Sequence, residues 1–241
     1  MDDNRATDLF LTTRWSLVLR ARSDATVEAS GALNELCSAY WYPIYAYIRR
    51  HSASPEDTED LTQGYFEDLL GRGYLDRAEA DKGKLRAFLL TDVKFHLAKE
   101  HGRRRALKRG GGKTFISIDQ VMAEQRYGVE PVDNVTPDQL FDRAWATTLL
   151  AKVQDKLRAE YAAKGHSAVI EALEPFIAWN AGEETYATVA LRLGKSESDI
   201  KVSVHRMRKR YRTLLEAEIA DTVASQEDVQ SELSMLAASF N

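Results

Sequence analysis

The sequence is poor in several features that would assign it at once to a familiar class. It has one cysteine, Cys37, among 241 residues, so it cannot form an internal disulfide and is not a disulfide-stapled secreted domain. No stretch approaches the ~20 apolar residues that a membrane-spanning helix needs. The first ten residues, MDDNRATDLF, contain acids and lack the apolar core of a signal peptide. We therefore expect a cytoplasmic protein with no membrane partner, in which Cys37 is a small buried side chain.

The chain also lacks a large net charge. Its 33 basic and 37 acidic residues give −4, which argues against a uniformly basic nucleic-acid coat. The basic residues are nevertheless clustered. Only Asp92 and Glu100 oppose the lysines and arginines of 82–113, and 201–215 contains no acid at all. Any nucleic-acid contact is therefore expected from these two local patches.

Apolar residues recur at spacings of three and four through most of the chain, which predicts an all-α fold. Ser54 before Pro55, and Thr136 before Gln139, are N-terminal helix signals. Residues 106–135 contain three consecutive glycines and little periodicity, which is typical of a flexible linker. We predict two helical domains, 1–105 and 136–221, joined by a linker over 106–135 and followed by a C-terminal helical extension over 222–241.

The predicted extension has one apolar face. Ser225 can cap its N-terminus, and Val229, Leu233 and Leu236 follow at helical spacing. Three residues give a small face that would bind a separate partner weakly. We therefore expect this face to pack inside the molecule, on the second domain.

The most informative stretch runs from 185 to 214 and predicts a helix-turn-helix. Gly194 suits a left-handed C-cap between two helices, and Ser196 can cap the second. Ile200, Val204 and Met207 form the predicted core face of that second helix. The opposite face carries short and basic side chains suited to the major groove. It comprises Ser198, Lys201, Val202, His205, Arg206 and Lys209. A solvated basic helix would have the same charge, but the turn and the cap favour DNA binding.

Two further motifs lie in the predicted first domain. Residues 57–67 place a polar stripe, Asp60, Gln63 and Glu67, beside an apolar face. Residues 85–105 interleave Phe88 and Phe95 with cations, a composition that captures single-stranded bases. We expect Phe88 in the core, whereas Phe95 fits either the core or a stacking platform.

These three motifs together resemble a bacterial RNA polymerase sigma factor of the extracytoplasmic-function type, which keeps only the second and fourth regions of the sigma-70 family. The resemblance covers most of residues 29–221. Residues 57–66, DTEDLTQGYF, are similar to the signature that docks the largest polymerase subunit. Residues 85–105 are similar to the segment that opens and reads the minus-10 element, and 199–208 to the minus-35 recognition helix. Val202 and Ser203 replace a typical Ser-Arg pair of that helix, so the promoter sequence does not follow from the resemblance.

The resemblance implies core RNA polymerase and promoter DNA as partners, together with an anti-sigma or other inhibitor protein. The implied polymerase-binding residues are Asp57, Asp60, Leu61, Gln63, Phe66 and Glu67. The implied minus-10 residues are Arg86, Lys94, Phe95, Lys99, Arg103, Arg104 and Arg105, and the minus-35 residues are the six of the exposed helix face named above.

No catalytic residue, cofactor or metal site is predicted. Residues 110–114, GGGKT, are similar to the end of a phosphate-binding loop, but Leu107 stands where that loop needs its first glycine. His96 and His101 are five residues apart, so they point away from each other on a helix. The alternative function is a polymerase-independent helix-turn-helix regulator whose N-terminal domain senses a ligand or dimerises.

Overall fold

The structure, a computed structural model, describes residues 27–71, 84–106, 118–129, 135–177, 184–223 and 225–240. Its regular elements are all helical, and no strand occurs among the residues described, so the predicted all-α class is confirmed. The helices are α1 (Val27–Arg49), α2 (Pro55–Leu70), α3 (Leu85–Ala106), α4 (Ile118–Val129), α5 (Pro137–Ala163), α6 (Ser167–Leu173), α7 (Tyr186–Leu193), α8 (Glu197–Ala220) and α9 (Gln226–Ala238), and a short 3-10 turn, Glu174–Phe176, follows α6.

Three helices begin where the sequence signals predict. Ser54 and Ser225 each accept the backbone N–H three residues further on, at 3.2 Å, and Pro55 is the first residue of α2. Thr136 and Gln139 form a reciprocal pair before α5, in which each backbone N–H donates to the other side chain. Such caps satisfy amide groups that the helix leaves unbonded, and each contributes about 1 kcal/mol.

The chain divides into two compact units. The first comprises Met1–Thr148 and Ile219–Asn241, and the second comprises Leu149–Glu218. The boundaries of these two units differ from the predicted domain boundaries. The reason is that the apolar residues at the start of α5 pack in the first unit, whereas those further along pack in the second. Leu140 and Ala144 pack with Tyr42 and Tyr45 in the first unit, whereas Leu157 belongs to the core of the second.

In the first unit α1, α2 and α3 each bury an apolar face. Cys37 is partly exposed rather than fully buried, and its remaining burial raises the pKa of the thiol. Leu70 is 46% exposed because it is the last residue of α2, beyond the core. The largest fully buried side chains of these helices are Ile44, Tyr45, Ile48, Tyr65, Leu69, Leu85 and Leu89.

Part of the predicted linker is a helix packed on α1. Ala123 of α4 is buried with Tyr42 and Tyr45. The Tyr45 hydroxyl donates to Glu124 Oε1 at 2.7 Å, and Arg49 Nε donates to the same oxygen at 2.9 Å. In 118–129 the chain is therefore not a tether, while residues 107–117 and 130–134 of the predicted linker lie outside the described residues.

The C-terminal helix α9 packs inside the molecule and belongs to the first unit, together with residues 136–148 at the start of the predicted second domain. Val229 and Leu236 are buried as expected, whereas Leu233 is half-buried. Glu232, which was not expected in the core, is also buried, at 1% exposure. The Glu232 carboxylate accepts Arg86 Nε of α3 at 3.0 Å and lies 3.2 Å from Lys84 Nζ. Intramolecular packing is therefore confirmed. Glu232 bonds Arg86 of α3, and Arg86 also bonds Asp142, which lies in the first helix of the predicted second domain.

Candidate nucleic-acid interface

The helix-turn-helix is set by its turn and two caps. Gly194 ends α7 with φ 61° and ψ 36°, a left-handed conformation that costs other residues roughly 1–2 kcal/mol. Thr185 caps α7 through a reciprocal bond with Thr188. Ser196 Oγ accepts the Asp199 N–H at 3.1 Å and donates to the Asp199 carboxylate at 2.6 Å, a bond that lowers the pKa of that carboxyl. The predicted turn and the predicted Ser196 cap are confirmed.

The core of the second unit fixes the rotation of α8 about its axis. Ile200, Val204 and Met207 are at most 2% exposed, and they pack in one cluster with Val189 and Ala190 of α7. The remaining buried members of that cluster are Leu157, Ile170, Ala172, Leu173 and Phe176. With three positions of α8 held inward, the opposite face of the helix must point to solvent.

That opposite face carries every residue predicted to read the minus-35 element. All six are exposed: Ser198, Lys201, Val202, His205, Arg206 and Lys209. At 1.5 Å per residue, they extend about 16 Å along the helix, roughly five base-pair steps of duplex DNA. We call these six residues the recognition face.

Some basic residues of α8 are held by other groups of the second unit. Lys201 Nζ lies 2.7 Å from Glu197 Oε1 and 5.8 Å from the centre of the Tyr186 ring. Arg210 Nε donates to Glu160 at 2.8 Å, which lowers the pKa of that carboxyl. Each of these two cations is paired with a carboxylate, in a pair that is at least partly exposed to solvent.

Arg206 and Lys209 differ from these cations. Within the part of the chain that the structure describes, neither side chain forms a hydrogen bond or an ion pair. Both therefore present uncompensated positive charge on the recognition face. A free guanidinium can bond two acceptors of one base or phosphate, whereas an ammonium acts as a point charge.

The exposed face of α3 joins an aromatic ring to two cations. Phe95 is 68% exposed, so it is not a core residue, whereas Phe88 is half-buried. Lys94 Nζ lies 2.6 Å from Asp138 Oδ2, and Lys99 Nζ lies 3.1 Å from Asp68 Oδ2. Both pairs are exposed to solvent, where such pairs contribute only about 0–1 kcal/mol. An incoming phosphate could therefore replace either carboxylate.

Arg86, predicted to bind minus-10 DNA, is instead a buried structural residue. It is 6% exposed, bonds both Glu232 and Asp142, and lies 5.2 Å from the centre of the Trp145 ring. Because the guanidinium is buried and bound to these two carboxylates, it cannot reach DNA. The prediction that Arg86 binds minus-10 DNA was therefore wrong. The carboxylates lie 56 and 146 residues away in the chain, and no local pattern indicated them.

The three arginines at the end of α3 are only partly described. Arg103 is exposed and lies 3.3 Å from Glu100. The helix continues through Arg104 and Arg105, but their side chains lie outside the described residues. Their predicted contact with DNA stays a prediction.

The polar stripe of α2 is exposed, while its apolar neighbours are not. Leu61 and Phe66 are 6% and 8% exposed, so these two predicted polymerase-binding side chains belong to the core that anchors α2. Asp57, in the first turn, is half-buried. The residues exposed to a partner are Asp60, Gln63 and Glu67, and the Gln63 amide also donates to Glu59 Oε1 at 3.3 Å.

The described residues contain no group of three or more potential ligands that could hold a metal ion. In the same residues, no helix is both long and apolar enough to cross a membrane. Comparison with known proteins finds no match: no family model fits the chain, and no curated protein or solved structure is significantly similar to it.

Proposed function

We propose that the chain is a sigma-type transcription initiation factor. It binds core RNA polymerase and directs it to promoters by reading minus-35 duplex and melting minus-10 DNA. The observation that carries this proposal is the recognition face of α8, which lies opposite a helix core that fixes its orientation. An α-helix with its side chains is about 10–12 Å wide and fits the major groove, which is about 12 Å wide.

The two free cations of α8 suit different contacts. Arg206 lies one turn beyond Val202, and its guanidinium can pair with O6 and N7 of a guanine. Lys209 lies nearly another turn along, where a phosphate is the natural partner of a flexible ammonium. The helix thus offers one contact that specifies sequence and one that contributes affinity.

The exposed face of α3 supports the melting role. An open promoter presents unstacked bases, which aromatic side chains hold by stacking at about 1–3 kcal/mol per base. Phe95 is the exposed aromatic of this helix, and Lys94 and Lys99 flank it in exchangeable surface pairs. Arg86 has no direct part in this step because it is buried.

The stripe on α2 gives the test of polymerase binding. Replacing Asp60 and Gln63 together by alanine should weaken capture of core RNA polymerase at least about tenfold, equivalent to ~1.4 kcal/mol. Both side chains are exposed, so helicity and melting temperature should stay unchanged. The measurement is a pull-down titration with purified core enzyme, read beside circular dichroism of each variant.

A matched control removes one acid and one amide from other exposed positions, Glu171 of α6 and Gln125 of α4. This pair of alanines should leave capture unchanged. If the stripe variant and the control variant bind core enzyme equally well, the stripe makes no contact with polymerase. The proposal that it docks the polymerase would then be wrong.

A further inference from the structure

We infer that Val202 determines promoter specificity by contacting the C5-methyl group of a thymine in the minus-35 duplex. This inference rests on the proposed reading of duplex DNA by α8, and it goes further by naming a base and the chemical group recognised. Val202 has no hydrogen-bonding side chain, so any discrimination it makes between bases must come from apolar contact.

Val202 is unusual among the apolar residues of its helix. It is 46% exposed, whereas Ile200, Val204 and Met207 are almost completely buried. It lies one turn after Ser198 and one turn before Arg206, on the recognition face. The other five residues of the recognition face are polar or charged, so Val202 is its apolar member.

The neighbouring side chains leave Val202 uncovered. Lys201 is directed toward Glu197, at 2.7 Å, and toward the ring of Tyr186. The Ser203 hydroxyl donates to the Asp199 carbonyl at 2.7 Å, which holds it against its own helix. Both side chains are thus engaged with other groups, and Val202 keeps 46% of its surface exposed, so a surface that meets this face can contact it.

Thymine is the base that fits this side chain. In the major groove each base pair presents a distinct pattern, and the C5-methyl of thymine is the apolar group in that pattern. Valine is branched at Cβ and is nearly fixed in one rotamer on a helix, so it loses little freedom on contact. Recognition helices also present their N-terminal residues to base edges, and Val202 is the sixth residue of α8.

The spacing to Arg206 adds a constraint on the DNA. Four residues along a helix rise about 6 Å, less than two base-pair steps of about 3.4 Å. A thymine read by Val202 and a guanine read by Arg206 should therefore lie no more than two base pairs apart. A cytosine or uracil in place of the thymine offers no methyl group at that position.

The test uses the full chain with core RNA polymerase and duplexes selected from a random-sequence library. Each thymine of the enriched minus-35 element is then replaced in turn by deoxyuridine, which removes only the methyl group. One replacement should weaken binding about fourfold, the factor for one buried methyl group. With Val202→Ala that same replacement should have no effect, while 5-methylcytosine opposite guanine should partly restore binding to the wild type at that position.

Leu191→Ala is the matched control. Leu191 is an apolar residue, 86% exposed, on α7 rather than on α8, so its loss should leave the deoxyuridine penalty at fourfold. Both variants should keep the wild-type melting temperature. If no thymine shows a penalty that Val202→Ala removes, although a minus-35 element is enriched, the inference about Val202 is overturned and the proposed function stands. If no minus-35 element is enriched at all, reading of duplex by α8 fails together with the inference.

Discussion

Replacing Glu232 by alanine is expected to destabilise the first unit by about 3 kcal/mol. The glutamate is 1% exposed and accepts Arg86 Nε at 3.0 Å, so its loss leaves a buried guanidinium with one carboxylate instead of two. Removing one partner of a buried ion pair costs about 3–5 kcal/mol. We expect the lower end of that range because Asp142 still bonds Arg86. Denaturant unfolding monitored by circular dichroism gives the value.

Glu227→Ala is the control for this result, since Glu227 is an exposed acid in the first turn of the same helix. It should cost less than about 1 kcal/mol, the usual size of a charge interaction with a helix end. Hydrogen exchange then locates the effect. Faster exchange in α3 upon Glu232→Ala agrees with packing in the first unit, whereas faster exchange confined to α7 and α8 would contradict it.

Arg206→Ala should relax base preference at one minus-35 position by about 1–3 kcal/mol, the discrimination of a good bidentate pair. The side chain has no partner among the described residues, so the fold should lose nothing measurable. Lys209→Ala should instead weaken all duplexes alike and reduce the salt dependence of binding by roughly one unit of slope. The measurement is binding of single-substitution duplexes by the core-bound chain at several salt concentrations.

The two variants control for each other, since each removes one unpaired cation from the same helix face. A uniform loss with Arg206→Ala, equal at every position, would make Arg206 a phosphate contact. If Lys209→Ala weakened binding at one base position only, Lys209 would be the base contact and Arg206 the phosphate contact.

Features coded by neighbouring residues could be predicted from the sequence. The Ser54, Thr136 and Ser225 caps, the left-handed Gly194 and the inward face of α8 each depend on residues within about a turn of one another. The six-residue recognition face followed from the same helical periodicity. The exposure of Phe95 did not, because its position on α3 fitted either a core or a surface residue.

Features that depend on distant residues could not be predicted. Arg86 was assigned to DNA because it lies in a basic, aromatic segment, yet Glu232, 146 residues away, neutralises it in the interior. The packing of α4 on α1 needs Tyr45 and Arg49 to meet Glu124, and a twelve-residue helix gives too weak a periodicity to reveal this. Likewise, the sequence of α5 does not reveal that its first residues pack in one core and its later residues in another.

Binding of the selected promoter duplex by the purified chain, with and without core RNA polymerase, tests the proposed function most directly. A sigma-type factor should bind the duplex tightly and specifically only when core enzyme is present, and the Asp60→Ala, Gln63→Ala variant should lose that binding. A chain that binds the same duplex equally well alone, as a dimer, would contradict the proposal and identify a polymerase-independent regulator.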